Sequence, residues 1–455
     1  MTRARMRTTL VCAAVTTAMA TAVLAPVAAA PLAPGQKGVR VTAVRVGTYP
    51  GDLAVTSTRA YVASQDTRGE ITVVNTRTSL VSRRVPVKPI PSAVTLSPDR
   101  SRLYVASAST GWISILDTAT NTGAGQFRSG GAPVASAISP DGTRLYVAAW
   151  DDSEVVVHAL PNGAVLARIP VPGLADSLAV HPDGSRLFAM VDDPRFGVAV
   201  IDVASNVVRT VIDLGQTGYP LGTALAVSPD GRRAYAMANP RPPQPGFVAV
   251  VDLSAGRLAG TIPVGADLRD AALGPGGTRL YVTVAGSGPG GPAGSNGLVA
   301  VIDAGSSHVI GTLSLDGAGR RGLSAQEVAV SPDGLRVHAS LSGPRGWLAT
   351  ASLASIPATP TMPLSVRTTA SGRTATVSWQ PPASGGGVVT EYVAIATPIV
   401  EGPGLPGVAC RTVTLSCRIT GLDPTLGYTV RVQARNGAGW GPAAYGPDAG
   451  TSAAG

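Results

Sequence analysis

One phrase occurs six times along this 455-residue chain and limits what it can fold into more than any other feature. It reads LSPDRSRLYVAS from Leu96, ISPDGTRLYVAA from Ile138 and VHPDGSRLFAMV from Val180. It returns as VSPDGRRAYAMA from Val227, LGPGGTRLYVTV from Leu273 and VSPDGLRVHASL from Val330. A worn copy, VTSTRAYVAS from Val55, lacks the Pro-Asp-Gly turn. Successive starts lie 41, 42, 42, 47, 46 and 57 residues apart. A unit of this length holds several short strands and buries its apolar faces only against its neighbours.

Seven such units predict a seven-bladed β-propeller over residues 38–353, within an all-β chain. In the unit that begins at Leu225, Leu225-Ala226-Val227 reads as an inner strand buried on both faces, and Ser228-Pro229-Asp230-Gly231 as the turn. There Pro presets φ, Asp bonds its own backbone and Gly accepts a positive φ. Arg233–Met237 is the second predicted strand, with Tyr235 between blades. Phe247–Asp252 is the third, alternating as a half-buried strand, and Leu258–Val264 is the fourth. The last unit runs into Pro-rich sequence before any fourth strand. Residues 40–47 are expected to supply that strand by pairing with the last unit's third, so that no sheet edge stays open.

The same columns give structural work to most of the charged residues. Asp99, Asp141, Asp183, Asp230 and Asp333 occupy the turns, and Asp117, Asp202, Asp252 and Asp303 end third strands, where such side chains bond the next turn. Arg59, Arg102, Arg144, Arg186, Arg233, Arg279 and Arg336 form one column before each second strand. Arginines spaced around a ring do not make a nucleic-acid stripe, although the net charge is +9. No nucleic-acid partner is expected.

Residues 1–29 read as a signal peptide: Arg3, Arg5 and Arg7 precede an apolar stretch from Leu10 to Leu24, and Val27-Ala28-Ala29 is a small-residue cleavage pattern. Cys12 follows Val11, where a lipid anchor needs a small residue. The expected protein is secreted and extracellular, without membrane insertion once the signal is removed, and its net charge falls to about +6 as three arginines leave.

With the repeat subtracted, one ring of positions just ahead of the inner strands stands out: Asp52, Ala93, Ala135, Ser177, Ala224, Asp270 and Glu327. Its three acids come from the sixth, seventh and first units, neighbours on a closed ring. Asp176 and Arg269 lie one residue earlier. Loops on the same side carry Asp66, Glu70, Asp151, Asp152, Asp192 and Asp193, near Trp112, Trp150 and Trp347. The candidate binding residues are therefore Asp52, Asp176, Asp270, Glu327 and Trp150. Oxygen ligands suit calcium and flat rings suit sugars, while a solvated rim with packed tryptophans is the plainer reading. The metal question stays open and no other cofactor is expected. The four histidines, His158, His181, His308 and His338, read as local substitutions at repeat positions. No Gly-x-Ser-x-Gly elbow, zinc-binding helix or phosphate loop occurs, and the Gly-rich run from Gly286 to Gly297 is a long loop.

The repeats resemble the bacterial and archaeal surface propellers named for a Tyr-Val-Thr-Asn sequence, relatives of the lactonase-like propellers. That resemblance covers about residues 40–355 and implies fold more than activity. After a Pro-rich linker at 354–362, residues 363–448 resemble a fibronectin type III domain, an immunoglobulin-like β-sandwich. Trp379 in TATVSWQPP, Tyr392 in TEYVAIAT and the GLDP…YTVRVQARN phrase carry the match. The resemblance makes Tyr428 a tyrosine-corner residue. Cys410 and Cys417 flank a short excursion, as in a common variant of the bacterial module; a disulfide suits a secreted chain, with a thiol pair or a metal site as alternatives.

Three functions stay in view. The first is a secreted binding or scaffold protein whose propeller face recognises an extracellular polysaccharide or other cell-surface polymer. The second is an extracellular glycosidase-type hydrolase with Asp52, Asp270 or Glu327 as acid and base. The third is a lactonase-like hydrolase, which would need a metal site.

Overall fold

The computed structural model describes residues 41–192, 196–216, 224–240, 246–265, 267–285, 297–315, 323–342, 345–353, 360, 363–382, 389–399, 407–436, 439–440, 443–446 and 449–450. The expected signal peptide, Asp193, almost all of the Gly-rich run and most of the linker lie outside the described residues. Among those described, the secondary structure is almost entirely strand, and no helix is long and apolar enough to cross a membrane.

Seven four-stranded antiparallel sheets follow one another along the described chain. The fifth shows how closely the repeat dictates the strands: Leu225–Val227, Arg233–Ala238, Gly246–Asp252 and Arg257–Gly265 pair in that order. The first sheet is Pro50–Val55, Arg59–Ser64, Glu70–Asn75 and Leu80–Pro86. The seventh contains Ser324–Val330, Arg336–Ser342 and Trp347–Ser352, and takes its fourth strand from the other end of the chain. Val41–Arg45 pairs antiparallel with Trp347–Ser352, Val41 opposite Ala351 and Arg45 opposite Trp347. The pairing expected of residues 40–47 is present over this strand. First strands of successive sheets touch in order, and the first strand of the seventh sheet touches that of the first.

Burial differs from the expected pattern in two respects. First strands are not fully buried: Leu225–Val227 and Pro133–Ile138 are mostly half-buried, because each is an edge strand with a paired strand on one side only. Third strands do not alternate: Phe247, Val248, Ala249, Val250 and Val251 are all buried, because a neighbouring sheet packs on each face. An inside–outside alternation appears in the fourth strand, over Thr261, Ile262, Pro263 and Val264.

Side chains of the repeat tie several of the sheets to the next. Arg59 donates to the Thr118 carbonyl of the following sheet, and Arg186 and Arg233 reach Leu253 O at 3.0 Å and Ala304 O at 2.8 Å. Tyr235 is buried and its hydroxyl lies 3.3 Å from the same Ala304 oxygen. Each is a charge-assisted or neutral bond to a carbonyl that would otherwise lose water on burial. The aspartate columns behave as read: Asp141 accepts from Thr143 N at 3.0 Å, and Asp303 from Ser306 N at 2.7 Å. His158 is a satisfied core residue, its ring nitrogens 2.9 Å from Ser129 Oγ and 2.9 Å from Gly163 O.

The C-terminal unit has two sheets. Leu364–Ser371, Thr374–Gln380 and Ser416–Thr420 form one; Val408–Thr412, Glu391–Pro398 and Gly427–Asn436, with short strands at Gly439–Trp440, Ala444–Tyr445 and Ala449–Gly450, form the other. Between them lie Trp379, Tyr392, Ile419, Leu422, Val430 and Val432. The Tyr428 hydroxyl accepts the Asp423 N–H at 2.7 Å, the corner bond expected of it. Cys410 and Cys417 form a disulfide that joins an edge strand of one sheet to an edge strand of the other.

Candidate functional site

The first strands are not regular, and their irregularity sets the site. In the first sheet Pro50 faces Ser64 and Leu53 faces Val62, so Gly51 and Asp52 share one partner position. The same bulge holds Arg269 and Asp270 in the sixth sheet, and Gln326 and Glu327 in the seventh. A bulge leaves one residue out of the ladder and re-aims its side chain. It also frees a backbone N–H that must find another acceptor. Thr283 Oγ1 accepts the Asp270 N–H at 2.9 Å and donates to Gln326 O at 2.7 Å, while Ser340 Oγ accepts the Glu327 N–H at 3.1 Å.

The two aspartates then bind across sheets. Asp52 Oδ1 accepts Leu53 N–H at 2.7 Å, and Oδ2 accepts Val94 N–H at 2.7 Å from the second sheet. Asp270 Oδ2 accepts Val328 N–H at 2.8 Å from the seventh. Glu327, one methylene longer, hydrogen-bonds back to the Asp270 carboxyl.

Protein encloses these half-buried carboxyls, and that enclosure is the first reason all three hold their protons more tightly than usual. Burial pushes Asp52 up to about 7, with the Asp270 charge adding to it and the Val94 and Leu53 N–H bonds opposing. Asp270 is also raised by burial, against the pull of the Val328 N–H and the Glu327 hydrogen bond. Glu327 is raised well above the ordinary carboxyl range, first by burial and then by the charges of Asp270 and Asp52, with Arg269 opposing. Like charges in one enclosed space cannot all ionise together. The charged form is disfavoured most strongly at Glu327, which hydrogen-bonds to Asp270.

Three of the five candidate binding residues are thus brought together and two are not. Asp176 lies at the entry to the fourth sheet, its N–H 3.2 Å from Met190 O, two sheets from Asp270 and three from Asp52. Trp150 opens a short 3₁₀ turn, Trp150–Asp152, on the third sheet; its N–H bonds Ala132 O at 3.0 Å, and its indole nitrogen is buried without a partner. Both share a level with the acids but sit on other arcs of the succession. The calcium reading does not fit these donors. Asp52 spends both oxygens on N–H groups, and among the described residues no three His, Cys, Asp or Glu side chains are grouped to hold a metal ion.

Sequence reading missed the bulges, although a signal for two of them existed. The residue two after the repeat's aromatic column is Ala or Met in five units but Thr283 and Ser340 in the sixth and seventh, the two hydroxyls that cap the freed N–H groups. It also missed a cluster on the C-terminal unit, where Trp440 takes a guanidinium from both Arg411 and Arg435.

Comparison with curated proteins returns no match. Among solved structures, the hydrazine synthase of Kuenenia stuttgartiensis is similar at 23% identity with a TM-score of 0.49, covering 55% of this chain and 76% of that one. The C-terminal part of the chain, residues 358–445, matches the model of the fibronectin type III domain.

Proposed function

We propose that this chain is a secreted binding protein whose seven sheets are the blades of a closed propeller of the Tyr-Val-Thr-Asn type, with the fibronectin type III module as spacer. The signal-like residues 1–29 support export. The cyclic contacts of the first strands and the pairing of Val41–Arg45 with the seventh sheet support closure. The acids at the mouth of the ring recognise an extracellular polysaccharide.

One observation carries the ligand class. Asp52, Asp270 and Glu327 bring enclosed carboxyls together on neighbouring sheets, with Glu327 hydrogen-bonded to Asp270, and a carboxyl that favours its proton is a donor as well as an acceptor. Neighbouring hydroxyls on a sugar need a donor and an acceptor side by side, and this cluster offers both. A bare cation would need all the oxygens free and charged. Hydrolysis has less support: a hydrogen-bonded pair such as Asp270 and Glu327 is closer than the roughly 5 Å or more that glycosidase carboxyls keep across the bond.

The test is depletion of the full chain from solution by insoluble polysaccharides, with released reducing ends measured in the same samples. Retention on one polymer, weakened about tenfold by Asp270→Asn with Glu327→Gln, is the expected result, a change of about 1.4 kcal/mol. Equal retention of that double variant, or release of reducing ends, would overturn the reading.

A further inference from the structure

The fibronectin type III module carries a site of its own. An open groove of about 370 Å³ on its surface is lined by Thr390, Glu391, Arg411, Thr412, Val413 and Arg435, a size within the roughly 300–1,000 Å³ of ligand sites. Strand pairing assembles it from residues far apart in the chain. Glu391 faces Arg435 on one side, Trp440 faces Arg435 on the other, and Tyr392 is opposite Thr412.

The two arginines are held rather than loose. Their guanidinium carbons lie 5.5 and 5.6 Å from the Trp440 ring centroid, within cation–π range. Glu391 ties both: Oε1 accepts from Arg411 Nη1 at 2.9 Å, and Oε2 lies 3.5 Å from Arg435 Nη1. Yet these side chains keep 62% and 50% of their exposure. One carboxylate against two guanidiniums leaves an excess positive charge. Each guanidinium has five donors, and one carboxylate cannot occupy them all. Fixing a long side chain is a main cost of using it for binding, and here the stack and the shared glutamate have already met that cost. Val413, 78% exposed beside Arg411, supplies an apolar surface next to the charge, and Thr390 and Thr412 supply hydroxyls. An arginine pair, hydroxyls and a small apolar patch match an acidic sugar: its carboxylate, its hydroxyls and its C–H face.

We propose that this groove binds the carboxylate of a uronic-acid residue in an acidic polysaccharide, with Arg411 and Arg435 as the anion contacts. The site is independent of the acid ring and makes the module a second point of attachment rather than a spacer.

The experiment is affinity electrophoresis of the full chain through gels containing polygalacturonate, a neutral galactan or a polyphosphate. Polygalacturonate is expected to retard the chain more than either of the others. Arg411→Gln with Arg435→Gln weakens that retardation about tenfold, whereas Arg367→Gln with Arg373→Gln, equal in charge and on exposed positions of the same module, leaves it unchanged. Arg411→Lys with Arg435→Lys restores part of it, because an ammonium keeps the charge but not the planar fork. Placed in the Asp270→Asn, Glu327→Gln background, the groove variant still weakens retardation about tenfold, which separates this site from the ring. The proposal falls if the parent chain is not retarded, if polyphosphate retards it more, or if the charge-matched control loses as much as the groove variant.

Discussion

Two arcs of the ring join first strands of neighbouring sheets at the same level by different chemistry. Between the second and third sheets the links are neutral: Ser92 Oγ donates to Pro133 O at 2.5 Å, and Thr95 Oγ1 lies 2.6 Å from Ser136 Oγ. Around the sixth, seventh and first sheets carboxylates are added, Asp270 on Val328 N–H beside the Thr283 hydroxyl on Gln326 O, and Asp52 on Val94 N–H. Hydroxyls join the strands without a buried charge. The carboxylates do it while held above their ordinary range by burial, and Asp52 by the Asp270 charge as well. Joining strands does not require that cost, so architecture alone does not account for the acid arc. The ligand recognition proposed above would.

The largest test of the comparison removes the closing strand. Val41–Arg45 completes the seventh sheet, which lies within the acid arc and not in the hydroxyl arc. Deleting residues 38–47 is expected to lower the melting temperature by far more than any single substitution, since it exposes the edge of Trp347–Ser352 and uncovers part of the seventh core. Hydrogen exchange in that variant should rise first in the seventh sheet and its neighbours. A melt like that of the parent chain would mean that this pairing does not hold the seven sheets together.

Next in size is the loss of one carboxylate link. Asp270→Ala leaves the Val328 N–H without its acceptor, at a cost of about 1–3 kcal/mol. The cost is largest near pH 5 and smaller near pH 8, where removing a charge also relieves Glu327. Denaturant melts at the two pH values check this. A cost independent of pH would mean that Asp270 does not couple to its neighbours.

The pH dependence of the parent chain follows from the same cluster. The folded state raises all three carboxyls above their unfolded values, so it binds more protons than the unfolded chain between them. Stability from this cluster therefore falls as pH rises from about 4 through about 7. The exposed turn aspartates act in the opposite sense: Asp99 and Asp183 are lowered to about 2 by hydrogen bonds from Ser97 and from Ser185, and their contribution is lost only in acid, below about 4. Glu327→Gln should raise the melting temperature at pH 8, leave it unchanged at pH 4 and flatten the decline between. An undiminished decline in that variant would place its source elsewhere.

How much of this was legible in the sequence divides along a physical line. Strand order, the turn aspartates, the Tyr428 corner and the partner of residues 40–47 are local or repeated, and a repeat reports them six times over. The acid column was legible too, because a register position is a property of one unit. What the acids touch was not. The partner of Asp52 is a backbone N–H in the next sheet, and reaching it depends on bulges that depart from simple alternation. Asp176 and Trp150 were placed on the right level, but a column says nothing of the distance around the ring. Arg411, Arg435 and Trp440 share no repeat at all; only the pairing of four strands brings them together.

The smallest effect belongs to the neutral arc and sharpens the contrast from the other side. Ser92→Ala removes one hydroxyl donor to a carbonyl and leaves no charge unpaired, so it should cost about 1 kcal/mol. No carboxyl appears among the hydrogen-bond partners of Ser92, which are Ala106 O and Pro133 O. The cost should therefore be the same at pH 5 and pH 8, and additive with Glu327→Gln, whose partners lie on other sheets. If Ser92→Ala instead showed the pH dependence of Asp270→Ala, the titrating unit would be the whole ring of first strands, and the acid arc would be only the place where its charge is carried.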